Sequence, residues 1–241
     1  MALPKLNAVT YKLNLPSSGE EVEYRPFLMS EQKNLMLAQE SEDDKQVQNA
    51  IAKCIEDCTF NKVNAWEMPA FDVEYIFLKV RSKSVGETVE LGITCPDDNE
   101  TTVQKKIDLS KIECTMHAGH TNEIQLTDEV KIVMKYPTLK DITLVSNDSE
   151  TQALFDMIGN NIYQVVDGDS VHQDIDISKE EMDEFIGTMT TQNLEDITQF
   201  FESMPKLTHE VSVKNPNTGK TGKVVLEGFQ SFFEWPSRMI L

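Results

Sequence analysis

The alternation of hydrophobic and polar positions predicts a helix followed by a strand in the region between residues 71 and 95. The first part repeats its core-facing positions at the spacing of an amphipathic helix, at Phe71, Tyr75, Leu78 and Ser82. From residue 88 onward, apolar and polar positions alternate with period two, which is typical of a half-buried strand. Gly86 lies between the two patterns, where it lets the backbone leave the helix.

The same patterns extend the prediction through the first half of the chain. Alternating apolar residues on both sides of the turn at 16–19 predict an N-terminal hairpin. Two helices are expected next, at about 30–41 and 47–58. Beyond the segment at 71–95, the turn at 96–99 predicts a hairpin. A further pair of strands is expected at 124–126 and 130–134.

From residue 136 the patterns become mainly helical. Helices are expected at 138–145, 151–165 and 193–204. Ser178 followed by Glu181 forms a capping box, which predicts the start of another helix. Alternating residues on both sides of the turn at 215–219 predict a closing hairpin.

Together these elements predict an α+β fold. It has an N-terminal hairpin and helices, a central antiparallel strand-rich region, and a C-terminal helical region that ends in a hairpin. The length of 241 residues allows two domains. We expect an α+β domain at 1–135 and a mainly helical domain at 136–241.

The charge of the chain restricts its partners. The formal net charge is −19, so most of the surface should repel nucleic-acid phosphates and anionic lipid. No apolar run is long enough to span a bilayer, and the first residues lack the pattern of a signal peptide. Four cysteines without an export signal favour a reducing cytosol. The acidity fits an ordinary acidic protein, and it also fits a protein that docks on basic partner surfaces.

One group of residues has the chemistry of a zinc site. Cys95, Cys114, His117 and His120 could together supply the four sulfur and nitrogen ligands that zinc prefers. The spacing is not that of a standard zinc motif, and a buried free cysteine also behaves as a small hydrophobic residue. We therefore expect no cofactor and keep zinc as the alternative.

Other motif-like stretches do not support catalysis or nucleotide binding. The acidic stretch at 167–176 lacks the glycine and the closing glutamate of a calcium loop. The triplet Gly219-Lys220-Thr221 has no upstream glycine at the required position, and a strand rather than a helix is expected after it. We found no constellation that predicts a catalytic residue. Close to the end of the sequence, an aromatic group could serve as core or as a partner contact, and it comprises Phe229, Phe232, Phe233 and Trp235.

Three separated blocks of the sequence carry a family resemblance. The first is the opening LPKLNAVTYKLNLPSSGEEVEYRPFLMSEQKNLMLAQES. The second combines Asp72–Phe77 with Arg81–Glu87, and the third is Gly228–Phe233. In their order and at this total length, these blocks resemble the baseplate hub subunits of T-even-like contractile-tailed bacteriophages.

The resemblance implies a structural, non-enzymatic virion protein of the tail baseplate, assembled in the host cytoplasm. It implies other hub subunits and the central spike and tail tube proteins as partners, without nucleic acid and without membrane insertion. The expected interface residues are Tyr24, Arg25, Pro26, Phe27, Arg81, Lys83, Glu87, Phe229, Phe232, Phe233 and Trp235. Two alternatives stay open: a hub assembly chaperone that is not retained in the particle, and a zinc-binding protein or hydrolase centred on the cysteine and histidine group.

Overall fold

The structure, a computed structural model, describes residues 8–144 and 149–227. Within these residues the helices are α1 (Met29–Glu40), α2 (Asp44–Cys58), α3 (Ala70–Val85), α4 (Leu139–Leu144), α5 (Glu150–Asn161), α6 (Lys179–Gly187) and α7 (Thr191–Ser203). The strands are β1 (Tyr11–Asn14), β2 (Glu21–Tyr24), β3 (Thr88–Thr94), β4 (Thr102–Asp108), β5 (Glu113–Thr115), β6 (Glu123–Gln125), β7 (Val130–Met134), β8 (Ile162–Asp167), β9 (Ser170–Gln173), β10 (Lys206–Lys214) and β11 (Thr221–Glu227).

These elements confirm the predicted α+β class, with the N-terminal hairpin, the antiparallel strands and the final hairpin in the expected order. The strand pairs form sheets with the orders β1-β2, β3-β4, β11-β10-β5 and β6-β7-β8-β9. Every pair in them is antiparallel. Antiparallel pairing follows from the short turns that join most neighbouring strands.

The chain forms two compact units. The first unit contains the described parts of Met1–Ala65, Phe71–Thr115 and Lys206–Leu241, and the second contains Trp66–Ala70 and the described parts of Met116–Pro205. The units are therefore discontinuous in sequence, whereas the predicted domains divide the chain once, between residues 135 and 136. That division stays a prediction.

One core cluster of the first unit combines residues of two hairpins and one helix. Leu91 and Ile93 of β3 pack in one cluster with Val211 and Val213 of β10, and Leu78 joins them from α3. The period-two pattern places these strand residues on one face, and the helical spacing directs Leu78 to the same cluster. Burial of each such side chain contributes about 1.5–3 kcal/mol to folding.

The core of the second unit lies on one face of its four-stranded sheet. Ile132 of β7 and Val165 of β8 are cross-strand partners on that face. Ile158 of α5, Ile186 of α6 and Ile197 of α7 cover them. The sheet and three amphipathic helices thus enclose a single apolar layer.

One helix prediction was wrong at its C-terminal end. The helix expected at 151–165 ends at Asn161, and residues 162–167 form β8 instead. Ile162 and Val165 are buried in the sheet core, and β-branched residues fit a pleated surface well. The predicted capping box is confirmed, since the Ser178 hydroxyl accepts from the Glu181 amide and the Ser178 amide donates to the Glu181 carboxylate.

Candidate interaction surfaces

The first predicted interface block, Tyr24 to Phe27, begins in the interior of the first unit. Tyr24 is buried, and its ring lies 5.7 Å from the ring of Tyr11 across the N-terminal hairpin. Burial raises the pKa of the Tyr24 hydroxyl to about 12. The side chain of Tyr24 therefore contributes to the core of its own unit.

Arg25, the second residue of that block, ties the hairpin to two helices. Its backbone amide donates to the Cys58 carbonyl at 2.9 Å, at the end of α2. Its guanidinium donates to the Glu31 carboxylate in α1 at 2.9 Å and to the Pro26 carbonyl at 3.0 Å. Because both charged groups of the Arg25–Glu31 pair are mostly shielded from water, losing one partner would leave a buried charge.

Apolar side chains next to this block are exposed. Phe27 is half-buried, and its amide donates to the Ser84 hydroxyl at 2.9 Å. The following residues, Leu28 and Met29, are exposed, and Met29 has 77% of its surface accessible. Leu37 lies eight residues after Met29 on the same helix and is also exposed. This surface could not be predicted from the sequence, because α1 has apolar residues around most of its circumference. Such a distribution does not indicate which apolar residues are buried and which are exposed.

The second predicted block combines one buried and two surface residues. Arg81 lies in the buried part of α3, and burial lowers the pKa of its guanidinium. Lys83 forms an ion pair with Glu87 just beyond the helix end, and its ammonium lies 5.3 Å from the Tyr11 ring centroid. The hydrogen bond that the Lys83 ammonium donates to the Glu87 carboxylate raises the pKa of Lys83. As partner contacts, both predicted blocks stay predictions.

The third predicted block lies outside the described residues. It consists of Phe229, Phe232, Phe233 and Trp235.

The candidate zinc ligands are divided between the two units. Cys95 is buried in the core cluster of the first unit, where Cys114 packs against the same cluster. Burial raises the pKa of Cys95, and it raises the pKa of Cys114 to about 12. A raised pKa disfavours the thiolate form that binds metal ions.

The two candidate histidines lie in a turn of the second unit. The His120 amide donates to the His117 carbonyl at 3.0 Å. The His120 ring has partners on both nitrogens, with Ser203 Oγ at 2.9 Å from Nδ1 and the Tyr136 hydroxyl at 3.1 Å from Nε2. The ring also stacks on Phe200 at 5.2 Å between centroids. Burial lowers the pKa of His120, which favours the neutral imidazole.

The donor directions around His120 form a consistent chain. Ser203 Oγ lies 2.6 Å from the Gln199 carbonyl, so its single proton is directed to the backbone. His120 Nδ1 then donates to Ser203, and Nε2 accepts from Tyr136. In this arrangement the histidine donates to the serine rather than taking its proton, which is the opposite of a nucleophile–base pair.

Within residues 8–144 and 149–227, no group of three or more His, Cys, Asp or Glu side chains could hold a metal ion. Zinc binding by Cys95, Cys114, His117 and His120 stays a prediction that elemental analysis can test. Ser203 and Tyr136 could not be found from sequence as partners of His120, because they lie 83 and 16 residues from it.

Two turns of the first unit are joined by a polar cluster. The buried Asn215 amide donates to Asp97 at 2.9 Å and to Asp98 at 2.7 Å. The Thr218 hydroxyl donates to Asp97, and this hydrogen bond lowers the pKa of that carboxyl. Thr101 donates to Asp98 through its hydroxyl and its amide, and these bonds lower the pKa of Asp98. The carboxylates thus connect the β3–β4 turn to the β10–β11 turn.

A strongly acidic surface lies in the second unit at residues 167–184. This segment has eight Asp and Glu residues against one Lys. The sequence analysis predicts no hairpin here, whereas in the structure Asp167 and Ser170 close the two-residue turn of the β8–β9 hairpin. The signal that could have found it is Gly168-Asp169, which follows Val165 and Val166 and precedes Val171, because such dipeptides are typical of tight hairpins.

In the part of the chain that the structure describes, no helix has the length and apolar character needed to cross a membrane.

Comparison with known proteins identifies the family of this chain. Neither the curated proteins nor the solved structures give a match. The family model described as T4 bacteriophage base plate protein matches residues 8–234, which cover most of the first compact unit and all of the second. The chain therefore belongs to the T4 bacteriophage base plate protein family.

Proposed function

We propose that this protein is a structural component of the baseplate hub and acts through protein–protein interfaces during tail assembly. The observation that carries the proposal is the family match over residues 8–234. The resemblance of the opening block, of Arg81–Glu87 and of the aromatic end to hub subunits supports the finer assignment to the hub.

Exposed apolar groups support a role in protein interfaces. Leu28 and Met29 are adjacent exposed residues at the start of α1, and Leu37 is exposed about two turns further along the same helix. Adjacent exposed apolar residues on a folded scaffold are typical of contact surfaces. Subunits that are held permanently in an assembly bury about 2,000–5,000 Å² at their interfaces. A surface of this kind could therefore serve as one part of a larger contact.

The proposed partners are other hub subunits and the proteins of the central spike and tail tube. The net charge of −19 favours neighbours with basic surfaces and disfavours nucleic acid. In this proposal the protein catalyses no reaction, is assembled in the host cytoplasm and is retained in the tail baseplate of the virion.

A mass-spectrometric inventory of purified virions and of tail-assembly intermediates tests retention. We expect peptides of this protein in both samples, at a constant ratio to other hub subunits. Their presence in intermediates and absence from virions would instead identify a hub assembly chaperone. Their absence from both would contradict the proposal.

Two surfaces can be tested by substitution. Replacing Met29 and Leu37 by Asp should reduce incorporation into tails, while Val9→Asp, also at an exposed apolar residue, serves as the control. Replacing Phe232 and Phe233 by Ala tests the aromatic block. Normal particle assembly by that double variant, with the isolated protein unchanged, would show that the aromatic block is not an interface.

Zinc binding is tested separately by elemental analysis of the purified protein. About one zinc per chain, lost when Cys95 and Cys114 are replaced by Ser, would support the metalloprotein alternative. A clearly substoichiometric metal content would remove it.

A further inference from the structure

An open strand edge occurs in the second unit. β9 is the last strand in the order β6-β7-β8-β9, and its described strand partner is β8 alone. Ser170 pairs with Asp167 beside the two-residue turn, so Ser170 directs its backbone groups toward β8. Val171, the next residue, directs its N–H and C=O away from β8, where another strand could pair with them.

Three of the features that protect edge strands are missing here, although the strand itself is short, at four residues. Edge strands are commonly blocked by lysine, proline or a bulge, and Ser170–Gln173 contains neither of those residues. The pairing of β8 with β9 runs without a register shift. Val171 has 55% of its surface exposed, and Ile175, just beyond the strand, has 83% exposed. The edge is therefore both open and partly apolar.

An apolar groove lies beside the edge. It has a volume of about 260 Å³, and Val165, Ile177, Met182 and Phe185 form its apolar part. Asp176 and Glu181 also line the groove and add carboxylates to it. The volume fits one or two large apolar side chains, and the carboxylates would attract a positive charge next to them.

The charge around the edge selects the kind of occupant. Residues 167–184 have eight acidic residues and one lysine, and that lysine, Lys179, forms an ion pair with Asp156. Asp174 forms an ion pair with Lys135, and these two ion pairs provide two lysines for a segment that has eight acidic residues. A second copy of this chain would place an identical acidic edge against this one, and like charges at an interface are costly.

We propose that the open edge of β9 binds an extended, basic segment of a neighbouring baseplate protein as an added strand. Backbone hydrogen bonds to Val171 provide the pairing. An aliphatic or aromatic side chain of the segment enters the groove, and its Lys or Arg residues face Asp176 and Glu181. This inference rests on the proposed function, because it names the chemistry of one partner within the baseplate.

A peptide array tests the proposal directly. The probes are overlapping peptides of about 15 residues that cover the other structural proteins of the same phage, together with a peptide of residues 228–241 of this chain. The folded full-length protein is applied at low and at high salt. We expect it to bind peptides that combine Lys or Arg with aliphatic or aromatic residues, and to bind them less at high salt.

Substitutions at Val171 identify the binding edge. Val171→Lys places a positive charge at the edge, and Val171→Pro removes the outward N–H while leaving the pairing with β8 possible. Each should weaken peptide binding by about tenfold or more. Val225→Lys is the matched control, because Val225 lies on the strand at the end of another sheet and is 58% exposed. Circular dichroism establishes that all three variants are folded.

The possible failures can be told apart. Binding of no basic peptide, binding that is equal in the Val171 variants, or selection of acidic peptides would overturn the docking proposal. Binding of the 228–241 peptide alone, or a dimer that Val171→Lys abolishes, would also overturn it by assigning the edge to another occupant. Absence of the protein from virions and intermediates would instead contradict the proposed function, whatever the array shows.

Discussion

The buried carboxylate of Asp72 in the first turn of α3 accepts hydrogen bonds from the amide and the hydroxyl of Ser17, 55 residues earlier in the sequence. Ser17 lies in the turn of the N-terminal hairpin, so these bonds attach the hairpin to the helix. Burial raises the pKa of Asp72, whereas the bonds from Ser17 lower it by stabilising the charged form. The hairpin turn therefore provides partners for a carboxylate that has lost its contact with water.

Ser17→Ala should destabilise the protein by about 1.5–3 kcal/mol, because it removes one of the donors to a buried charged group. The measurement is the free energy of unfolding in urea, followed by circular dichroism. Ser18→Ala is the matched control, since Ser18 is exposed and its hydroxyl accepts a hydrogen bond from the nearby Glu20 amide. An equal effect of the two substitutions would contradict this account of the Asp72 site.

The elements that sequence predicted well have local signals. The capping box at Ser178 and the closing hairpin depend on residues that are near each other in the chain. The strand β8 was missed because its apolar residues directly follow an amphipathic helix and continue its apolar character. The strand β5 has three residues and is paired through Cys114 with Leu207, which only the fold brings near.

The candidate surfaces were less predictable because exposure is a tertiary property. Tyr24 and Arg81 have polar groups that suggest surface positions, yet both are buried. Val171 and Ile175 are apolar and yet exposed, because β9 lies at the end of its sheet. No local sequence pattern indicates which strand lies at the edge of its sheet.

Gly222→Ala tests the close approach of the two hairpins in the first unit. A Cβ atom at Gly222 would lie 2.5 Å from Pro96 Cγ, which is too close for any real contact. Overpacking of this kind usually costs about 1–3 kcal/mol, so the midpoint of thermal unfolding should fall. At Gly187 a Cβ atom would meet no neighbour within 4 Å, and Gly187→Ala should leave the midpoint unchanged or raise it slightly. Equal midpoints for the two variants would be evidence against the Gly222–Pro96 contact.

Asn215→Ala tests the polar cluster that joins the two turns. Asn215 has no exposed surface, and its side chain donates to Asp97 and Asp98 and accepts from the amides of Asn217 and Thr218. Its removal should lower the free energy of unfolding by about 2–3 kcal/mol, because four hydrogen bonds of one buried side chain are lost together. Asn217→Ala, which removes a bond to Thr101 at the surface, should have a clearly smaller effect. The reverse order of the two effects would refute the proposed role of Asn215.

His120→Gln tests the neutral histidine of the second unit. Because burial lowers the pKa of His120 in the folded state, the unfolded chain takes up its proton first as the pH falls through the ordinary value of 6.5. The contribution of His120 to stability is therefore complete above that pH and declines as the pH falls toward the lower folded-state pKa. The free energy of unfolding of His120→Gln should depend less on pH in this window than that of the unsubstituted protein.

The control for this titration is His117→Gln. His117 lies in the same turn and its side chain is exposed, so this variant keeps the His120 ring with its partners and should retain the pH dependence that His120 confers. Urea unfolding at about pH 7.5 and about pH 5.5 measures both slopes. If His117→Gln removed the dependence of the free energy of unfolding on pH while His120→Gln kept it, His120 would not be its source.

Cross-linking mass spectrometry on purified, intact baseplates tests the central claim most directly. If the protein is a building part of the hub, its exposed residues should form cross-links to hub, spike or tail tube subunits, at a fixed number of copies per particle. Cross-links confined to outer baseplate proteins would contradict the hub assignment, and baseplates that lack the chain while remaining complete would contradict a structural role in the mature particle.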